Sequence, residues 1–231
     1  MISHKHKCIF IHIAKCAGTS VENSFGIDIK NFNAAENDSL FGWDRKNKLW
    51  LQHATPQQLL DLQLIKQHEW DTYYKFIIYR NSWDRAYSDY LWIMRNRNTR
   101  DSFSNFLLKT GKFTASLNHK EAPYYCGDHL YLQKDYFFLD GKKINYNCEI
   151  DFKQIENGFA RVKKALSLPD SFFRKKLNPA PATKKEHYSY FFNNRRRRLV
   201  ERLYREDIEF FGFEFQEEKN LFQKLWKNIK Y

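Results

Sequence analysis

Cysteine is scarce in this 231-residue chain, and its four copies form no C-x-x-C pair. They stand far apart, as Cys8, Cys16, Cys126 and Cys148. This irregular spacing argues against a zinc site and against a dense disulfide framework. We therefore expect reduced thiols in a cytoplasmic protein.

Long apolar runs are also lacking, and no stretch approaches the roughly 20 apolar residues of a membrane-spanning helix. The segment most similar to a signal peptide is the apolar run Cys8–Ala14, which follows His4–Lys7. It is short, contains His12 and ends at Lys15 without a small-residue cleavage pattern. We interpret it as a buried strand, with a signal peptide as the weaker alternative, and expect a soluble protein without a membrane span.

Repeats, low-complexity tracts and Gly/Ser-rich linkers are missing, so nothing in the sequence marks a domain boundary. Hydrophobic residues make up 42% of the chain and aromatic residues 18%, which is enough for one substantial core. We therefore expect a single domain over residues 1–231.

Acidic residues are outnumbered, because 27 Asp and Glu stand against 39 Lys and Arg, giving a net charge of +12. Such a surface attracts anions, which include nucleic acid, acidic lipid, nucleotides and acidic polysaccharide. The run Arg195–Arg198 would point in all directions around a helix without forming a stripe. We interpret it as a solvated helix surface and not as a nucleic-acid site, although an anionic glycan would use part of it.

Two apolar segments, Cys8–Ile13 and Lys75–Arg80, are typical of buried strands. Each is followed by a turn and a helix, the first capped by Thr19 or Ser20 and the second formed by SWDRAYSDYLWIM. This order of strand, loop and helix indicates an α/β fold in three layers, with a central parallel sheet flanked by helices.

A third turn lies between these segments. A short strand at Lys48–Gln52 precedes the helix TPQQLLDLQLI, in which Thr55 is the N-cap of a capping box. His53 therefore lies in a strand-to-helix turn. Ligands of such folds bind outside the carboxyl ends of the strands, where Lys15, His53 and Arg80 fall.

The remaining elements are predicted more coarsely. They are a helix over Asp101–Lys109, a hairpin turning at Asp140–Gly141, a helix over Phe152–Leu166, a loop over Asn178–Thr183, and helices over Arg195–Phe211 and Glu217–Ile229.

The segment FIHIAKCAGTS lacks the arrangement of a nucleoside-triphosphate P-loop. That motif, G-x-x-x-x-G-K-[ST], places lysine directly after glycine, whereas here Lys15 precedes Gly18. The residues still suit an anion, because Gly18 lets the backbone approach it, the N–H groups of residues 18–21 point at it, and Thr19 and Ser20 add hydroxyls. The alternative is an ordinary strand-to-helix turn with a solvated lysine.

Two segments resemble motifs of one enzyme family, the sulfotransferases that use 3′-phosphoadenosine 5′-phosphosulfate (PAPS). FIHIAKCAGTS is similar to their 5′-phosphosulfate loop, F-I-H-[IV]-P-K-[TC]-[GA]-G-[TS]-[ST]. YRNSWDRAYSDY is similar to their 3′-phosphate motif, R-[ND]-P-[WFY]-[DE]-R-x-x-S-x-Y. The resemblance is strongest to the branch that contains the Golgi carbohydrate sulfotransferases and their bacterial relatives, and it touches most of the chain between Cys8 and Phe215.

This resemblance implies a P-loop NTPase-like nucleotide-binding core, PAPS as co-substrate and no metal. Lys15 would contact the phosphosulfate and its bridging oxygen. The residues that would cradle the 5′-phosphate are Gly18, Thr19 and Ser20, and those that would hold the 3′-phosphate are Arg80 and Ser88.

The chain departs from the family pattern at three places. Ala14 and Ser82 replace prolines of the two motifs, which changes loop stiffness and leaves the ligand-bearing residues in place. The sequence KKLN at Lys175–Asn178 stands where the family has P-H-x-N, so the acceptor side is less well defined.

An attacking hydroxyl benefits from a general base, and imidazole has a suitable pKa. His53 is the candidate, because QHATPQQL resembles the family segment that carries a histidine at the acceptor side. The alternative is a capping or packing histidine. His12 is expected to be a core histidine, and Glu22 and Glu156 are expected to cap helices or form salt bridges.

The sequence therefore predicts a sulfotransferase that moves a sulfuryl group from PAPS to a hydroxyl, with a carbohydrate, including an anionic one, as the expected acceptor. One alternative is a nucleotide or sugar kinase, which would need ATP and magnesium. The other is a basic nucleic-acid-binding module, which would be indifferent to the loss of Lys15.

Overall fold

The computed structural model describes residues 1–30, 32, 35–121, 125–173 and 186–220. The chain divides into two compact units. The first comprises Met1–Arg80 and Gln133–Asn178, and the second comprises Asn81–Leu132 and Pro179–Tyr231.

The described strands all belong to the first unit. They are β1 (Ile2–Ser3), β2 (Cys8–Ile11), β3 (Trp43–Asp44), β4 (Leu49–Trp50), β5 (Tyr74–Tyr79), β6 (Phe138–Leu139), β7 (Lys142–Lys143) and β8 (Cys148–Asp151).

The described helices are shared between the units. Those of the first unit are α1 (Gly18–Ser24), α2 (Pro56–Asp61), α3 (Gln67–Thr72) and α7 (Ile155–Ala165). Those of the second unit are α4 (Ser82–Asn96), α5 (Phe103–Leu107), α6 (Thr114–Asn118), α8 (Asn194–Leu203) and α9 (Arg205–Phe211).

A four-stranded sheet in the order β1-β2-β5-β8 forms the centre of the first unit. β5 pairs in parallel with β2 and with β8, and β1 is antiparallel to β2. Every residue of β2 is buried, as befits a strand covered on both faces, and Phe10 stacks on its register partner Phe76 with ring centroids 4.9 Å apart. The predicted α/β class with parallel strands is confirmed, whereas β1 and β8 have no counterpart among the predicted elements.

Several local predictions are confirmed. The hydroxyl of Thr55 accepts the Gln58 N–H, and the Gln58 side chain accepts the Thr55 N–H, so the capping box of α2 is complete. The hairpin of β6 and β7 turns at Asp140 and Gly141, which both have positive φ. α4, α5 and α7 lie within or close to the segments predicted to be helical.

The predicted start of α1 is wrong. The helix begins at Gly18, and its N-cap is Ala17 in the left-handed conformation, without a side-chain capping bond. Neither Thr19 nor Ser20 therefore caps it, because the left-handed turn of the backbone starts the helix at Gly18, before both hydroxyls.

Other boundaries also differ from the predictions. The strand at Lys48–Gln52 is reduced to β4, which pairs with β3 in a separate two-stranded sheet. The single helix over Arg195–Phe211 is divided at Tyr204, whose ring is buried. The predicted loop Asn178–Thr183 lies outside the described residues, as does the predicted helix Glu217–Ile229 beyond residue 220. Residues 217–220 of that segment are described and are not helical.

The second unit is helical around an aromatic core. Its buried rings include Trp83, Tyr90, Phe103, Phe106, Phe113, Tyr188 and Phe192. The Asn81 side chain caps α4 by accepting from the N–H groups of Trp83 and Asp84. Within the described part of the chain, no helix combines the length and the apolar character that crossing a bilayer requires.

Candidate active site

The loop after β2 contains two residues in the left-handed region, Lys15 with φ 70° and Ala17 with φ 64°. This conformation costs a residue with a Cβ atom roughly 1–2 kcal/mol. Backbone strain of this kind concentrates at functional sites. Between the two residues, the Cys16 N–H donates to the carbonyl oxygen of Ile13 at 3.2 Å, which closes the turn.

The beginning of α1 presents hydrogen-bond donors that the described residues do not satisfy. The N–H groups of Gly18 and Thr19 have no acceptor there, and the hydroxyls of Thr19 and Ser20 have no partner. The N–H groups of Ser20 and Val21 instead donate to the Ala17 carbonyl oxygen. Of the four N–H groups expected to face an anion, the first two are therefore available.

Glycine at position 18 lets the backbone approach an anion, and it also avoids a collision with His12. A Cβ atom on Gly18 would lie 1.8 Å from Nε2 of His12, so the imidazole occupies the space that any side chain would need. Nδ1 of His12 lies 2.8 Å from Oε1 of Glu22, and both side chains are buried. Burial by itself raises the pKa of Glu22, but the charge and hydrogen bond of His12 outweigh it, so the pKa of Glu22 is lowered. His12 and Glu22 thus form a buried pair beneath the loop.

Arg80 follows the last residue of β5 and reaches back to this loop. Its Nη1 donates to the carbonyl oxygen of Lys15 at 2.9 Å. Its guanidinium also lies over the ring of Phe152, 4.2 Å from the ring centroid. The structure therefore brings Lys15 of the first motif into contact with Arg80 of the second.

Gln133 is a part of this site that no sequence motif indicates. Its Oε1 accepts the Arg80 N–H at 2.9 Å, and its Nε2 donates to the Arg80 carbonyl oxygen at 2.8 Å. The Cys16 thiol lies 3.9 Å from the same Oε1. Since 53 residues separate Gln133 from Arg80, only the fold reveals this contact.

His53 ends a short 3₁₀ turn, Leu51–His53, between β4 and α2, as the predicted strand-to-helix turn requires. It is 8% exposed, and its carbonyl oxygen accepts the Tyr136 hydroxyl at 3.0 Å. Its ring meets the His12 ring edge to face, with centroids 4.6 Å apart. His12 therefore contacts both His53 and Gly18, which follows the loop of Lys15.

Ser88 belongs to the second unit and lies in α4, where it is half-buried. Its hydroxyl has no hydrogen-bond partner within the described parts of the chain. A donor of this kind is available for an anion, as the motif implies.

The arginine run of the second unit contacts aromatic and acidic neighbours. Arg196 lies over the Phe191 ring at 4.3 Å, and Arg197 pairs with Glu201. The four consecutive arginines form no stripe by themselves, but with one arginine beyond the run, exposed arginines recur on one face of α8 at helical spacing i, i+3, i+7. These are Arg195, Arg198 and Arg202.

Cationic side chains and unsatisfied N–H groups at the carboxyl ends of parallel strands are the arrangement with which α/β proteins bind phosphate or sulfate groups. Comparison with known proteins makes this class specific. The model of the sulfotransferase family matches residues 1–214, so the chain belongs to the sulfotransferase family and its chemistry is sulfuryl transfer.

A solved structure of a sulfotransferase from Alicyclobacillus acidocaldarius is similar to this chain, with 18% sequence identity. The similarity covers 89% of this chain and 96% of that one, at a TM-score of 0.41. Comparison with curated proteins finds no significant match. The predicted resemblance to the sulfotransferase family is confirmed by the family model, whereas the carbohydrate branch stays a prediction.

Proposed function

We propose that this protein transfers a sulfuryl group from PAPS to a hydroxyl of a carbohydrate. The observation that carries the proposal is the hydrogen bond from Arg80 Nη1 to the Lys15 carbonyl oxygen, which joins the two nucleotide-binding motifs of the family. A donor with a phosphosulfate at one end and a 3′-phosphate at the other needs both loops close together. The family match across residues 1–214 supports a sulfotransferase activity that involves most of the chain.

The donor side would be held by this chain's own residues as follows. The N–H groups of Gly18 and Thr19 and the hydroxyls of Thr19 and Ser20 receive the 5′-phosphate, because they are donors without other partners among the described residues. Arg80 and Ser88 receive the 3′-phosphate. Neither contact requires a metal.

PAPS supplies an activated sulfuryl group whose leaving group is a phosphate and needs little acid assistance. Lys15 acts on the charge that develops at the bridging oxygen, and a preorganised cation there is worth about 3–4 kcal/mol of transition-state stabilisation. The left-handed backbone of Lys15 and the bond from Arg80 to its carbonyl hold this residue in place before the donor binds. The protein's main contribution is thus position and charge.

His53 is the proposed base, which accepts the proton of the attacking hydroxyl. Its burial and its contact with His12 support this role, because both fix the ring beside the loop that binds the donor. We expect His53→Gln to lower kcat about 10²- to 10⁴-fold while nucleotide binding persists. Unchanged kcat would assign His53 to packing.

We infer the chemical class of the acceptor from the positive charge on one face of α8. The face of α8 that carries Arg195, Arg198 and Arg202 would attract a glycan bearing uronic acid or sulfate groups, and these arginines have no acidic partner among the described residues. A soluble, cytoplasmic sulfotransferase is part of the same proposal.

The function is tested by thermal unfolding with four ligands: 3′-phosphoadenosine 5′-phosphate (PAP), adenosine 5′-phosphate, ATP, and ATP with magnesium. A ligand at about 100 times its Kd stabilises the folded state by about 2.7 kcal/mol. We expect PAP to stabilise most, and Arg80→Ala to remove the advantage of PAP over adenosine 5′-phosphate. Stabilisation by ATP with magnesium alone would favour a kinase, and stabilisation by none of the four would contradict the proposal.

A further inference from the structure

Gln133 completes the end of β5 with its side chain. In an antiparallel β-ladder, two residues that face each other can exchange both an N–H donor and a carbonyl acceptor. Gln133 does the same for Arg80, accepting its N–H at 2.9 Å and donating to its carbonyl oxygen at 2.8 Å. The regular pairing of β5 ends just before this point, where Tyr79 faces Asp151 of β8. One amide therefore takes the place of a further strand residue.

The same amide is tied to the other loop. The Cys16 thiol lies 3.7 Å from the Ala14 carbonyl oxygen and 3.9 Å from Gln133 Oε1, and Cys16 follows Lys15, whose carbonyl oxygen accepts from Arg80. Arg80 is thereby held at its backbone by Gln133, at the plane of its guanidinium by Phe152 and at Nη1 by Lys15. Gln133 fixes the point from which the Arg80 side chain starts, and Phe152 and Lys15 then hold its guanidinium.

The chemistry of this position admits few side chains. Gln133 is fully buried, and an unsatisfied amide there would be unfavourable. Glutamate has the shape but lacks the donor for the Arg80 carbonyl oxygen, and leucine lacks both donor and acceptor.

We propose that Gln133 is a positioning residue that holds Arg80 in the orientation required to recognise the 3′-phosphate of the nucleotide. This inference rests on the proposed function, since it concerns how Arg80 distinguishes PAP from adenosine 5′-phosphate. Gln133 itself touches neither the nucleotide nor the acceptor in this account.

The test is the ratio of the Kd of adenosine 5′-phosphate to the Kd of PAP, measured by isothermal titration calorimetry. A purely structural role would lower stability but leave this ratio unchanged, because both nucleotides bind the same folded molecules. We expect Gln133→Leu to lower the ratio at least about tenfold, the size of one lost hydrogen bond to a charged group. Gln133→Glu, which keeps one of the two bonds, should lower it less, by at least about threefold.

Gln58→Leu is the matched control, because Gln58 also bonds a backbone N–H through its side-chain amide, in the capping box of α2. We expect its ratio to equal that of the wild type. In Arg80→Ala, the ratio should fall at least as far as in Gln133→Leu, and adding Gln133→Leu to it should cause no further fall.

The possible results separate the two proposals. An unchanged ratio in Gln133→Leu, with a lowered ratio in Arg80→Ala, would overturn the role of Gln133 alone. An unchanged ratio in Arg80→Ala would overturn the assignment of the 3′-phosphate to Arg80, and the inference with it. If Gln133→Leu does not fold, Gln133→Glu decides by the same criterion.

Discussion

Arg80 Nη1 donates a hydrogen bond to the carbonyl oxygen of Lys15, at 2.9 Å and across 65 residues of sequence. Each residue stands just beyond the carboxyl end of a parallel strand, Lys15 after β2 and Arg80 after β5. Neighbouring parallel strands end at the same edge of their sheet, so the two loops meet there. The contact brings Lys15 and Arg80 together at one edge of the sheet, as the proposed binding of one nucleotide by both loops requires.

Lys15→Gly tests whether Lys15 acts through its side-chain ammonium or through its left-handed backbone. Glycine relieves left-handed strain of about 1–2 kcal/mol and adds about 0.5–1 kcal/mol of unfolded-state entropy, so stability should rise by no more than about 1.5 kcal/mol. The ammonium is lost, and sulfuryl transfer should fall at least about 100-fold. Ala17→Gly makes the same backbone change two residues away. It should retain activity, and an equal loss in Ala17→Gly would attribute the effect of Lys15→Gly to the loop conformation.

Gly18→Ala tests the packing of His12 beneath the loop. The new Cβ would lie 1.8 Å from Nε2 of His12, so the ring must move, and we expect a loss of at least about 2 kcal/mol in urea unfolding. His12→Ala makes space for the methyl group. The double variant should therefore lose less stability than the sum of the single variants. Strict additivity would show that His12 is not the obstacle.

Whether the sequence predicts a feature of this site depends on how far apart along the chain the contacting residues lie. β2, β5 and α4 follow from local apolar patterns, and the capping box of Thr55 follows from residues three apart. The contact of Gln133 with Arg80 cannot be predicted, because no local pattern encodes a pairing across 53 residues. β8 is missed because its sequence CEID has only two apolar residues, in alternation.

The buried pair of Glu22 and His12 predicts a pH dependence. The folded-state pKa of Glu22 is lowered, so the unfolded chain takes up a proton at a higher pH than the folded protein does. The stability from this pair is therefore present above the unfolded-state pKa of about 4.3 and is lost as the pH falls through the lower folded-state pKa.

Glu22→Gln should accordingly lose about 3 kcal/mol at pH 7, because it leaves His12 without its charged partner. Urea unfolding at pH 7 and at pH 3 measures the difference between wild type and variant. We expect this difference to shrink at pH 3. A constant difference would mean that the ionisation of Glu22 does not contribute to folding.

Ser82→Pro should stabilise the protein. Ser82 is the first residue of α4, where proline is favoured, and the ψ of 128° at Asn81 suits a residue before proline. The Ser82 hydroxyl is buried without a partner among the described residues, so its removal leaves no bond broken. A gain of about 1 kcal/mol would raise Tm by about 2–4 °C. Ser82→Ala removes the hydroxyl alone and should give a smaller rise, whereas a lower Tm in Ser82→Pro would contradict the proline-compatible geometry.

A crystal structure of the protein with PAP is the most direct test of the central claim, that the loop of Lys15 and the loop of Arg80 bind the two ends of one nucleotide. We expect the 5′-phosphate within hydrogen-bond distance of the N–H groups of Gly18 and Thr19, and the 3′-phosphate on the guanidinium of Arg80. PAP bound elsewhere, or held by one of these loops with its other phosphate in solvent, would contradict it.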